Sequence, residues 1–363
     1  MAVRTATTTG WLLRGEDGRL TAYAPVPGGI VRWTETRPGG PEWSGPQRFE
    51  MPGLEPYVSI TRSAQGYVFL AGVRRRAHED GRAETDVVYT TQFQSGRALT
   101  PWRTIGTPYG QDWERADQIG TPVAVVDGVG LHLYFRNAGR GVSGRRQDAR
   151  GIWGPWLDLH GSRVLDAGSA CVSADGRVEL LASTADAVLR WRQEEPGGPL
   201  KRVKDTAAKS LTGSFTSAPA DDDRIGHFWR ADADSVLHVQ HAPAPAGEES
   251  AETPAPLALT SLGTGGTGPV AVLRTTLDGQ DCTVLAQRSA SGLPAVAAYA
   301  TRDEAATDAA WSETGEECVG APALALDAAG RVVAAAIAAD GTLRVARQRP
   351  DARGLALGDW VRV

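Results

Sequence analysis

Hydrophobic and polar positions along this chain alternate in short bursts rather than in helical steps. A representative burst is "VELLASTADAVLRWRQ", Val178 to Gln193, where an apolar-rich run, a polar turn and a second run follow one another. Runs of four to eight residues bounded by Gly, Asp, Asn and Pro are strand and hairpin signals. No amphipathic stretch of helical length interrupts them.

The burst is copied along the chain. "DGRVELLASTADAVLRWRQ" from Asp175 aligns without a gap with "DGRLTAYAPVPGGIVRWTE" from Asp17, so Arg32 and Trp33 fall where Arg190 and Trp191 fall. In "DDRIGHFWRADADSVLHVQH", His238 takes the arginine's place, and in "GRVVAAAIAADGTLRVARQ" Arg344 takes it again. Weaker copies begin at Gln65, Gly128 and Asp278. The turn positions Gly18, Gly66, Gly128, Gly176, Arg224, Gly279 and Gly330 are spaced by a mean of 52 residues, so seven units use up all 363 residues as one domain, 1–363. The units run about 10–55, 56–114, 115–163, 164–211, 212–262, 263–317 and 318–363.

Each unit opens on a short small-residue or apolar run, then a hairpin of two alternating strands, then a fourth segment. That segment often carries tryptophan: "EWSGPQRF", "TPWRTI", "GPWLDL", "AAWSET", "GDWVRV". Four strands in each of seven units predict an all-β, seven-bladed β-propeller of four-stranded antiparallel blades. A solenoid would call for polar caps at both ends, and the last unit stops after "GDWVRV".

Composition agrees: 43 Gly, 22 Pro and 11 Trp suit a turn-rich, many-stranded protein. A net charge of −5 gives no electrostatic footprint for nucleic acid. The longest apolar run, "VVAAAIAA" from Val332, falls far short of a membrane span, and "MAVRTATTTGWLL" has no apolar signal core, so a cytoplasmic protein with no membrane partner is expected. Cys171, Cys282 and Cys318 share no metal-ligand spacing, which predicts reduced thiols and no metal or cofactor.

The unit pattern of apolar strand, "DGR", alternating strand, "TAD" or "AADG" turn, "VLRWRQ" and "GPW" strand resembles the bacterial seven-bladed fucose-binding lectins and, more distantly, the tachylectin-type propellers. The resemblance covers about Gly10 to Val363 and implies carbohydrate, or another small molecule, bound between neighbouring blades by an aromatic face and polar groups. Units one and four keep a tryptophan on the third strand, units five and seven have Val239 and Val345, and the "WxxW" ending is complete only at Trp153 and Trp156. Trp33 with Arg32, Trp191 with Arg190, and Trp229 with His238 are the ligand-binding candidates this implies. Adjacent strand residues point to opposite faces, so one of each Arg–Trp pair faces a given pocket. The competing reading packs these tryptophans between blades as core, and Trp43, Trp102, Trp153, Trp156, Trp311 and Trp360 even more so.

Three further features carry chemistry. A hairpin turning at Asp232 and Ala233 would set His227 opposite His238, near Asp221, Asp222 and Asp223, in a metal-like grouping, although the equivalent pair in unit four, Glu179 and Arg190, is a plain cross-strand ion pair. Asp127, Asp175, Asp223 and Asp327 stand near innermost-strand ends, as acid–base groups of a channel-mouth lyase, hydrolase or cyclase or simply as turn residues. The loop "RRRAHEDGRAE", Arg74 to Glu84, reads as a docking finger or a charged hairpin tip, and "APAPAGEESAETPAP" from Ala242 as a surface loop. Non-catalytic sugar binding leads; the channel-mouth enzyme and a protein-interaction scaffold are the alternatives.

Overall fold

The computed structural model describes residues 9–79, 81–220, 224–242 and 254–363. Seven antiparallel sheets ring a central channel, and each is built from its own stretch of chain, as the repeat predicts. Blade 1 holds Leu12–Arg14, Leu20–Val26, Gly29–Glu35 and Trp43–Glu50. Blade 2 holds Leu54–Arg62, Val68–Ala77, Ala83–Gln92 and Arg103–Gly106. Blade 3 holds Val123–Val126, Leu131–Arg136, Val142–Arg146 and Leu157–His160. Blade 4 holds Asp166–Val172, Val178–Ser183, Ala187–Gln193 and Leu200–Arg202, with Thr206–Ala207 as an extra short partner. Blades 5, 6 and 7 begin at Thr216–Pro219, Gly266–Leu277 and Ala323–Leu326 and end at Leu257–Ala258, Ser312–Glu313 and Val361–Arg362.

Burial runs radially. The second and third strands of blade 1 are buried throughout, whereas its outermost strand is mostly exposed. Apolar clusters fill the gaps between blades: Phe135 and Leu133 with Val87 and Tyr89, and Trp191 and Leu180 with Tyr134 and Val142. The recurrent glycine of the first hairpin has a conformational cause, since Gly18, Gly66, Gly176, Gly279 and Gly330 all have φ between 75° and 84°, a region closed to most side chains.

Two hairpin registers differ from expectation. In blade 5, Ile225–Arg230 and Leu237–His241 pair so that His227 faces Gln240 and His238 faces Trp229, not one another. The connecting loop is two residues longer than a turn at Asp232 and Ala233 would make it, and Ser235 supplies the left-handed step at φ 61°. In blade 4, Arg190 lies opposite Leu181, and Glu179 lies opposite Arg192. The two histidines are therefore not cross-strand partners, and the acidic run Asp221, Asp222 and Asp223 lies outside the described residues, as does most of the loop from Ala242. Among the described residues no group of three His, Cys, Asp or Glu side chains is placed to hold a metal ion, and no helix is long and apolar enough to cross a membrane.

Candidate functional site

The lectin-like candidates divide sharply by exposure. Trp33, Trp191 and Trp229 are each 1% exposed, and Arg32 and Arg190 are 3% and 2% exposed, so these five side chains offer no surface to a sugar. Each is held in a blade interface. Arg32 donates to Gln47 Oε1 at 2.6 Å and lies 4.9 Å from the Phe49 ring. Trp229 stacks between Phe215 and His238. Trp191 donates from Nε1 to Leu159 O at 2.9 Å. His238 is half-buried, with burial lowering its imidazole pKa. The correction is physical: in a ring of packed sheets, the large aromatics of the second and third strands fill the gap between blades, and their ring area is spent there.

An open aromatic and polar cleft of about 450 Å³ lies instead at the end of blade 3. Two aromatic rings line it. Trp156, half-buried, rests its edge on Phe135 with centroids 5.5 Å apart, and the Arg145 guanidinium lies 5.2 Å from its ring. Tyr109 comes from the segment joining blades 2 and 3; its Oη accepts the Ala138 N–H at 2.7 Å, and the Arg115 guanidinium lies over its ring at 4.6 Å.

The polar groups come from two loops of blade 3. Asn137 opens the central hairpin turn, accepting from Gly141 N at 2.8 Å and donating to Ser143 Oγ at 3.1 Å. A bulge in the outer strand, where Val142 faces His160 and Ser143 faces Asp158 with Leu159 extra, brings both Asp158 and His160 to the cleft. Trp191 pins that bulge from behind through Leu159 O. Arg140 and His160, at φ 59° and 60°, are non-glycine residues held in the left-handed region beside the cleft, a conformation that persists only where the surroundings over-determine it.

The charged insertion of blade 2 supports this site. In it Arg74 pairs with Asp86 and Arg76 with Glu84. His78 packs edge-on against Trp113 at 4.9 Å, Arg82 lies 5.1 Å from the same ring, and Arg75 Nε pairs with Asp117 at 2.8 Å. These contacts fix the short helix Trp113–Asp117, which carries Arg115 and follows Tyr109.

The central channel forms a second cavity, of about 340 Å³, lined mainly by small, hydroxyl and aliphatic residues. The aspartates expected at its mouth are turn residues: Asp127 accepts from Val129 N and Gly130 N and lies 3.0 Å from His132 Nε2, while Asp327 accepts from Ala329 N and Arg331 N. Asp175 forms an ion pair with Arg177, two residues on, and Asp223 lies outside the described residues. The channel's own carboxyl is Asp166. Burial pushes it up to about 6, against smaller lowering by the Ala167 N–H and the Arg136 charge. It therefore keeps its proton in the folded chain up to that pH but loses it near 3.8 when unfolded, so its contribution to stability falls as pH rises from about 4 to 6. Asp166→Asn is expected to flatten that part of the urea-unfolding pH profile and to raise stability at pH 7 by about 1–3 kcal/mol. An unchanged profile would show the carboxyl to be solvated.

No protein-family model matches the chain, and no curated protein matches it. Among solved structures, a lectin from Burkholderia pseudomallei superposes with TM-score 0.69 at 13% identity, over 98% of this chain and 99% of that one. The chain has the fold of that lectin. The likeness expected from the repeat is thus present in three dimensions. A periplasmic gluconolactonase from Pseudomonas aeruginosa superposes with TM-score 0.60 at 16% identity, over 97% of this chain and 95% of that one. A Hadza microbial sialidase does so with TM-score 0.52 at 12% identity, over 90% of this chain and 70% of that one. One architecture carries binding and catalysis alike, so function has to be argued from the site.

Reasoning from the repeat missed Tyr109, Arg115, Asn137 and Asp158. Tyr109 and Arg115 sit in the non-repeating link between two units, where alignment of copies is silent. One signal was visible: the single complete "WxxW" ending falls in blade 3, the blade that carries the cleft.

Proposed function

We propose that the chain binds carbohydrate non-catalytically at one cleft on blade 3, rather than at repeated sites around the ring. The observation that carries this reading is the pairing of Trp156 and Tyr109 with Arg115, Asp158, Asn137 and Ser143 around one opening of about 450 Å³. A sugar presents apolar C–H faces and a rim of hydroxyls. Aromatic rings cover the first, and a guanidinium, a carboxylate and an amide serve the second. The size lies within the range of small-molecule sites, and the lining offers one guanidinium, Arg115, and one carboxylate, Asp158, to the hydroxyls.

Glycan-array screening followed by calorimetric titration of the best sugar tests the proposal. One site per chain is expected, with affinity reduced roughly tenfold or more in Trp156→Ala, the loss of an aromatic contact beyond its buried area, and comparably in Arg115→Ala. Tyr109→Phe retains most of the binding because the ring remains. Silence across the array, or affinity unchanged in both Trp156→Ala and Arg115→Ala, would overturn the reading.

A further inference from the structure

A chain of three side chains links the channel to the interface between blades 4 and 5. Ser217 lies on the innermost strand Thr216–Pro219, lines the channel cavity and is half-buried. Its Oγ is 2.9 Å from His227 Nδ1. On the other side of the imidazole, His227 Nε2 is 2.9 Å from Glu179 Oε2, and both His227 and Glu179 are buried. Glu179 is charged, since Arg190 and Arg192 lie 3.5 and 3.1 Å from its oxygens. A carboxylate accepts and does not donate, so the Nε2 proton of neutral His227 points to Glu179 and the Nδ1 lone pair points to Ser217. The serine is thereby hydrogen-bonded to an imidazole whose basic nitrogen is free, the arrangement that general-base activation of an alcohol needs.

From this geometry we infer that Ser217 is an activated nucleophile open to the channel, with His227 as its general base and Glu179 as the positioning residue, and that the channel accepts a small uncharged ester. Neutrality of the substrate follows from the lining: among the described residues around the channel cavity, Asp166 is the one ionisable side chain and no cation is present to hold an anionic group. In the step, Ser217 Oγ bonds to the ester carbonyl carbon while its proton passes to His227 Nδ1. The carbon–alkoxide bond then breaks, the alcohol leaves with that proton, and water hydrolyses the acyl-serine by the same route reversed. The inference stands apart from the blade 3 cleft, which shares no residue with it.

A fluorophosphonate probe on the full chain tests it, because attack forms a serine–phosphorus bond and expels fluoride without needing turnover. One adduct per chain is expected, located at Ser217 by peptide mass mapping and absent in Ser217→Ala at unchanged circular dichroism. His227→Gln is expected to slow labelling roughly 100-fold, the scale of general-base assistance. Glu179→Gln, which keeps an acceptor near Nε2 but no charge, slows it more than twofold. Arg349→Ala, an exposed residue that lines neither cavity, labels at the wild-type rate. No adduct on the folded wild-type chain, or an adduct on a serine other than Ser217, would overturn the inference; a second test, Ser217→Cys with iodoacetamide, should alkylate readily if the position is open to the channel and based by His227, and an inert thiol there would count equally against it.

Discussion

Glu179→Ala is expected to destabilise the chain by about 3–5 kcal/mol, read as the shift in urea-unfolding free energy at pH 7. The carboxylate is 2% exposed and is the shared counter-charge of Arg190 and Arg192 and the acceptor of His227. Arg190 is itself only 2% exposed. Truncation leaves its guanidinium buried without an anion, a state far costlier than an absent pair. Burial alone would push the Glu179 carboxyl up, but the hydrogen bond from His227 and the charges of Arg190 and Arg192 together outweigh it and hold the group below its ordinary range. Its stabilisation is therefore complete above the unfolded value of about 4.5 and is lost as pH falls through the lower folded value. The gap between wild type and Glu179→Ala should shrink on acidification below that point. By contrast, Arg202→Ala, whose partner Asp205 is more than a third exposed, should cost less than about 1 kcal/mol. Equal costs for the two variants would mean that the Glu179 site is wetter than its exposure indicates.

Much of the fold can be read from the sequence because a propeller repeats one local rule. Gly18, Gly176 and Gly330 mark first hairpins since a left-handed turn selects glycine, and that signal survives where the strands themselves diverge. Pairing inside a hairpin is less legible. In blade 5 the turn's left-handed residue is Ser235, which lacks the glycine signature, and a two-residue difference in loop length was enough to move His227 from His238 to Gln240. The candidate site is less legible still. Trp156, Tyr109 and Asn137 converge from the approach to the outer strand of one blade, the link before that blade and a hairpin tip, and nothing local in sequence states that convergence. The Ser217, His227 and Glu179 relay likewise spans two blades, so the side chains that meet are set by how neighbouring sheets face each other.

Arg347→Ala is expected to cost about 3 kcal/mol and to loosen the ring at one seam, between blades 7 and 1. Among the described residues each blade takes its strands from its own stretch of chain, and no exchanged strand stitches first to last. The seam is instead closed by side chains. Leu12, Val31 and Trp33 pack with Val333, Leu343 and Val345, and Trp11 Nε1 donates to Ala321 O at 3.1 Å. Across the same seam Arg347 Nη2 donates to Glu35 Oε1 at 2.6 Å and to Gly40 O at 2.8 Å. Glu35 is fully buried at 0%, and burial pushes its carboxyl up even with Arg347 beside it. Removing the guanidinium leaves that carboxylate with the N–H groups of Leu20 and Gly39 as its partners and no compensating charge. Glu35→Gln introduced into Arg347→Ala should recover part of the loss, since no buried charge then remains unpaired. Arg344→Ala supplies the contrast: its partner Glu316 is 55% exposed, and screening by water keeps the expected cost below about 1 kcal/mol. Limited proteolysis of Arg347→Ala should cut first in blades 1 or 7, where the seam opens. If it cuts elsewhere, or if the two arginine variants lose equal stability, the apolar cluster alone closes the ring.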